Sequence, residues 1–146
     1  MRMLAIISLL SLTACNSVYM HPGTMEPGTV VHAKYGGYSM KRAVKEALEK
    51  RGYDVRVGKL RKVYGDDNDK ESLELPGNTK YVVRVSERKE LFMPYWCLFN
   101  GFWWWRFSVS VTDQHDGKEI LSWRGRGCQN SSLRKLDDIL NELEKK

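Results

Sequence analysis

Beyond residue 28, apolar and polar positions follow readable periods along most of the chain. Residues 29–34 are rich in β-branched side chains and predict a strand, which Tyr35-Gly36-Gly37-Tyr38 turns. Met40, Ala43, Val44, Ala47 and Leu48 then recur at helical spacing, while Lys41, Lys45, Glu46 and Glu49 fall on other faces. The pattern predicts a helix from a Ser39 cap to about Arg51, with Gly52 placed to end it. Tyr53, Val55 and Val57 alternate with Asp54 and Arg56, the period of a half-buried strand. Tyr81, Val83 and Val85 alternate with Val82, Arg84, Ser86 and Arg88. Trp103, Trp105, Phe107, Val109 and Val111 alternate in the same way with Trp104, Arg106, Ser108, Ser110 and Thr112. Both segments are expected to be strands with one apolar face, which makes Trp103 and Trp105 core residues. His115-Asp116-Gly117 is a tight turn, and residues 120–125 form the return strand. Leu133, Leu136, Ile139, Leu140 and Leu143 give a last helix from about 132 to 144 its buried stripe.

The predicted order is β-α-β-β-β-β-α. A strand, helix and strand joined by short turns form a parallel crossover, and the later hairpins are antiparallel. The expected class is α+β: a two-layer sandwich with a mixed sheet of about five strands and two helices on one face. Residues 65–78, with Asp66, Asp67 and Asp69, lack the ligand spacing and distal glutamate of an EF-hand and read as a solvated loop. The layout is similar to small periplasmic domains of the Tol system, of curli-secretion lipoproteins and of lipoproteins that activate peptidoglycan synthases. That resemblance is one of layout and transfers no residue.

The first fifteen residues carry an address. Arg2 is a positive start, residues 3–12 are a short apolar run, and Leu12-Thr13-Ala14-Cys15 follows. This tetrapeptide resembles the lipobox of bacterial lipoproteins. The resemblance implies diacylglyceryl transfer to Cys15, cleavage after Ala14 and acylation of the new amino group. The apolar run is about half of the roughly 20 residues that a membrane span needs, so anchoring is expected rather than spanning. Asn16, in place of an aspartate, implies sorting to the outer membrane. The expected organisation is a signal peptide at 1–14, a lipidated tether at 15–28 with two Pro-Gly turns, and one periplasmic domain at 29–146.

Of 146 residues, 132 remain after such cleavage, and the charge changes from +6 to about +5. A basic balance suits an anionic partner in the envelope and is also ordinary for a soluble surface. Nucleic acid is excluded by the expected compartment. With Cys15 lipidated, Cys97 and Cys128 remain in an oxidising compartment. The turn at 115–117 opposes residues whose numbers sum to roughly 231–232, which sets Cys128 against about Trp103. Cys97 lies just before that strand, so the pair is expected to converge. A disulfide there contributes roughly 3 kcal/mol on the chain-entropy model. A reactive thiol pair is the alternative, but no Cys-x-x-Cys is present.

Residues 91–105 form the most aromatic stretch of the chain. Phe92, Tyr95, Trp96 and Phe99 in its loop are candidates for a partner or membrane surface, with a lid over the core as the plainer alternative. On the sheet face away from the helices, Arg56, Arg84, Arg88, Arg106 and Arg124, with Trp104, are candidates for an anionic-ligand face; solvated arginines are the plainer alternative. His21, His32 and His115 are scattered and read as loop or surface residues. No metal, cofactor or catalytic motif is recognisable, neither a nucleophile elbow nor a phosphate loop nor a glycosidase carboxylate pair. The chain therefore reads as a non-enzymatic, outer-membrane, periplasm-facing lipoprotein. It would act by binding, as an accessory or structural subunit of an envelope assembly. The alternatives are an inhibitor or ligand-binding lipoprotein that recognises an anionic glycan or lipid, and a small cell-wall hydrolase.

Overall fold

The computed structural model of the chain describes residues 16–34, 39–58, 77–88 and 90–145. The signal and lipobox, the turn at 35–38 and nearly all of the acidic loop at 65–78 lie outside the described residues. Six strands and two helices build the sandwich. The strands are β1 Ser17–Met20, β2 Val30–Lys34, β3 Asp54–Gly58, β4 Thr79–Arg88, β5 Trp104–Asp113 and β6 Glu119–Cys128; the helices are α1 Met40–Lys50 and α2 Gln129–Glu144. The sheet order is β1-β6-β5-β4-β2-β3. β2 runs parallel to both β3 and β4, while β4-β5-β6-β1 is antiparallel. This is the expected α+β sandwich with one strand more than expected.

Alternation decides which face is buried. Val31, Tyr81, Val83, Phe107, Val109, Val111, Leu121 and Trp123 point to the helices, where they meet Met40, Val44 and Leu48 of α1 and Leu136, Ile139, Leu140 and Leu143 of α2. Trp123 is fully buried, edge-on to Phe107 at 4.5 Å between ring centroids. Arg51 at the end of α1 bridges to α2, with Asp137 at 2.7 Å and Glu144 at 2.8 Å. Gly52, at φ +90°, ends α1 as expected: its N–H donates to Glu49 and that of Tyr53 to Leu48, the reciprocal bonds of a Schellman turn. Ser39 precedes the helix but its hydroxyl makes no capping bond. The Glu87 carboxylate on β4 accepts the Lys41 N–H instead, so the cap comes from tertiary structure.

The extra strand corrects the reading of 15–28 as a tether. Ser17–Met20 pairs with β6, with Val18 opposite Trp123 and Met20 opposite Leu121 on the inner face. The chain then turns across the end of α2, where Gly23 and Met25 donate their N–H groups to Glu142 and Leu143. Met25 is buried in the core, and the Tyr81 hydroxyl, beneath it, donates to Thr24. Pro-Gly turns in this segment fold it onto the domain, because the free carbonyls ending α2 accept its N–H groups.

Candidate functional site

The end of the sheet where β6 passes into α2 carries the aromatic loop and part of the arginine face singled out above. Residues 91–103 lead into β5 and include a 3₁₀ turn at Tyr95–Phe99. Cys97 is buried and disulfide-bonded to Cys128, which is opposite Trp104. The sequence register placed that partner one residue away, at Trp103. Two loop carbonyls complete the staple: Trp103 accepts the Gln129 N–H and Asn100 the Asn130 N–H. These satisfy the first donors of α2, whose N-cap, Cys128, makes no side-chain cap bond.

The staple fixes the loop and leaves most of its large apolar side chains exposed. Among the described residues eleven large apolar side chains are exposed, and nine of them lie between 91 and 103. Phe92, Tyr95, Trp96 and Phe99 are all among the nine, with Phe99 at 97%. Tyr95 and Trp96 are edge-on at 5.2 Å, Trp96 and Phe92 at 6.3 Å, and Phe92 and Trp104 at 6.0 Å. A continuous aromatic surface thus runs from the loop onto the sheet. Trp103, edge-on to Phe102, is 57% exposed, which corrects its expected place in the core. Gly101 and Phe102 both have positive φ, so the chain turns there and alternation begins only at Trp104. Trp105 is half-buried against the core. It floors a groove of about 780 Å³ between the helices, with Ala43, Ala47 and Leu133 on its walls.

On the face away from the helices, the register draws some of the predicted arginines together and leaves others apart. Arg88, Arg106 and Arg126 occupy one row across β4, β5 and β6. Arg124 lies in the next row opposite Ser108, and Arg84 one row further, opposite Ser110. Arg56 is remote, on the far edge strand, paired with Asp54 at 2.9 Å. Two members of the cluster were missed in the sequence. Arg126 shares the parity of Arg124 but lies beyond residue 125, where the return strand predicted from the sequence ends. Glu90 follows β4, and its carboxylate accepts the Trp104 indole N–H at 2.7 Å and an Arg106 N–H at 3.0 Å, with Arg126 at 3.7 Å. The indole hydrogen bond, with the arginines behind it, holds the Glu90 carboxyl below the usual carboxylate range.

His32 corrects a further expectation. It is a strand residue, 6% exposed between Val82 and Arg56, and its Nδ1 has no hydrogen-bond partner. Burial lowers its pKa, so it is held neutral. His21 and His115 are on the surface. Among the described residues no group of His, Cys, Asp and Glu has the makings of a metal site, and no helix is long and apolar enough to cross a membrane.

No protein-family model and no curated protein matches the chain. Solved structures do. The PelC dodecamer from Paraburkholderia phytofirmans, in space group P6, is similar over 90% of this chain and 97% of that one, with a TM-score of 0.53 at 13% identity. A point variant of the same dodecamer, in space group C2, gives a TM-score of 0.53 at 14% identity over the same shares. At this identity the likeness is one of fold, and the sandwich described above is the fold that this chain shares with PelC.

Proposed function

We propose that the chain is a lipid-anchored lipoprotein of the outer membrane that acts by binding, as an accessory or structural subunit of an envelope assembly. The aromatic loop, in this reading, lies against the membrane interface. One observation carries it: the start of the described chain and the aromatic loop share one end of the sheet. Ser17 is opposite Arg124, and β1 runs antiparallel to β6, so going back from Ser17 leads toward the Cys128 end. Asn16 is held there, its amide oxygen accepting the Trp123 indole N–H. Cys15 is one peptide bond upstream. Acyl chains on Cys15 and nine exposed apolar side chains would then meet the same surface. Trp and Tyr are at home at a membrane interface, and apolar side chains buried there add to the binding that acyl chains supply. A subunit role is in keeping with the dodecamers in which PelC is found.

Membrane fractionation tests the anchor. Cys15→Ser is expected to release the protein from membranes, and a variant that still resists a high-salt wash in the outer-membrane fraction would overturn the lipobox reading. Crosslinking and affinity purification test the subunit role. Specific recovery of an envelope protein is expected; recovery of none would favour a ligand-binding lipoprotein.

A further inference from the structure

We propose that the row Arg88–Arg106–Arg126, with Arg124 beside it, is a phosphate-binding site for phospholipid headgroups. It deepens the reading above, because it rests on the aromatic loop facing a membrane. Neighbouring strands lie about 4.8 Å apart, so the Cα atoms of three arginines in one register row span only about 10 Å. Like charges directly opposite one another destabilise a sheet, so a row of three arginines is costly to the fold. Glu90 offsets Arg106 and Arg126. Among the described residues no carboxylate pairs with Arg88 or Arg124, and both are exposed. Four arginines against one glutamate leave a local excess of three positive charges.

The shape suits a small anion. A shallow depression of about 360 Å³ is lined by Ser86, Arg88, Arg106, Ser108, Arg124 and Arg126. Guanidinium forks take phosphate oxygens bidentately, and serine hydroxyls supply further donors. Position selects the source. Trp104 abuts Phe92 of the aromatic loop and hydrogen-bonds Glu90, which joins the loop to the arginine row. With the loop aromatics at the interface, the arginines stand at the level where headgroup phosphates lie.

The test uses the lipidated protein in uncharged detergent micelles, with melting temperature as the readout. Phosphatidylglycerol doped into the micelles and free inorganic phosphate at matched ionic strength should both raise it. Arg88→Ser should weaken apparent affinity for either by about fivefold. Without anion, the same variant should melt no lower than the parent, since it relieves repulsion. Arg56→Ser, on the same face but neutralised by Asp54, should bind like the parent. Equal losses in Arg56→Ser and Arg88→Ser would mean attraction to total charge and overturn the site. A response to oligogalacturonate alone would assign the face to a glycan and overturn the phosphate reading. A response to phosphate but not to phosphatidylglycerol would overturn the headgroup assignment. Quenching of Trp96 by brominated lipid reports the loop independently: if it persists while Arg88→Ser changes nothing, the membrane reading stands and the arginine site falls.

Discussion

Two irregular segments, 16–28 and 91–103, invert what their composition leads one to expect. The first is short, polar and broken by Pro-Gly pairs, yet it adds an edge strand and buries Met25. The second is the most aromatic stretch of the chain, yet nine of its large side chains are exposed. Backbone hydrogen bonds explain the difference. The first segment answers the open carbonyls at the C-terminal end of α2, and the second answers the open N–H groups at its N-terminal end. In the first, the backbone path drops one side chain into the core. In the second, the disulfide takes the inward position and the aromatics turn outward.

Opening the disulfide should have the largest effect. Cys97→Ser with Cys128→Ser releases a loop closed over 31 residues, worth about 3–4 kcal/mol on the chain-entropy model. Denaturant unfolding with and without reductant would measure it. A loss below about 1 kcal/mol would mean that the two backbone bonds to α2 hold the loop alone.

Next comes a matched pair that bears directly on the inversion. Met25→Ala should cost about 2–4 kcal/mol, because it opens a cavity in a packed core. Phe99→Ala, a larger truncation in the more apolar segment, should change stability by less than about 0.5 kcal/mol. Equal losses would make the loop a lid over the core. Gly23→Ala should be nearly as harmful as Met25→Ala. Its φ is +71°, and an added Cβ would lie 2.3 Å from the Lys145 carbonyl oxygen. Gly28→Ala, also at positive φ but in open space, should lose only about 1 kcal/mol.

The sandwich was legible because its period is regular where it is long. Four of the five apolar positions in the last helix are buried as the stripe requires, and the hairpin register comes within one residue of the Cys128 pairing. What escaped reading was set by tertiary contact. Ser17–Met20 is too short for alternation to be distinguished from chance, and Glu87 caps α1 from another strand. Trp103 continues the apolar alternation on paper, and only the positive φ at Gly101 and Phe102 takes it out of the strand. The arginine row depends on where β6 ends: turn chemistry marks no end for the strand, and only its continuation to Cys128 brings Arg126 into line with Arg106 and Arg88.

The smallest effect expected separates the two segments by pH. The contacts that hold 16–28 to α2 are backbone hydrogen bonds, which do not titrate. The approach to 91–103 is held partly by Glu90, which accepts the Trp104 indole N–H and pairs with Arg106 and Arg126. Its folded pKa is lowered, so the unfolded chain binds the proton more readily. Its contribution to stability is therefore complete above the ordinary carboxylate value and is lost as pH falls through the lowered one. NMR of the Trp104 indole proton should follow that titration, with a midpoint below the ordinary carboxylate value. Glu90→Gln should remove the transition. Amide exchange at Gly23 and Met25 should stay slow through the same range. If those amides open together with the indole, the two segments form one cooperative unit, and the contrast between them is confined to side-chain exposure.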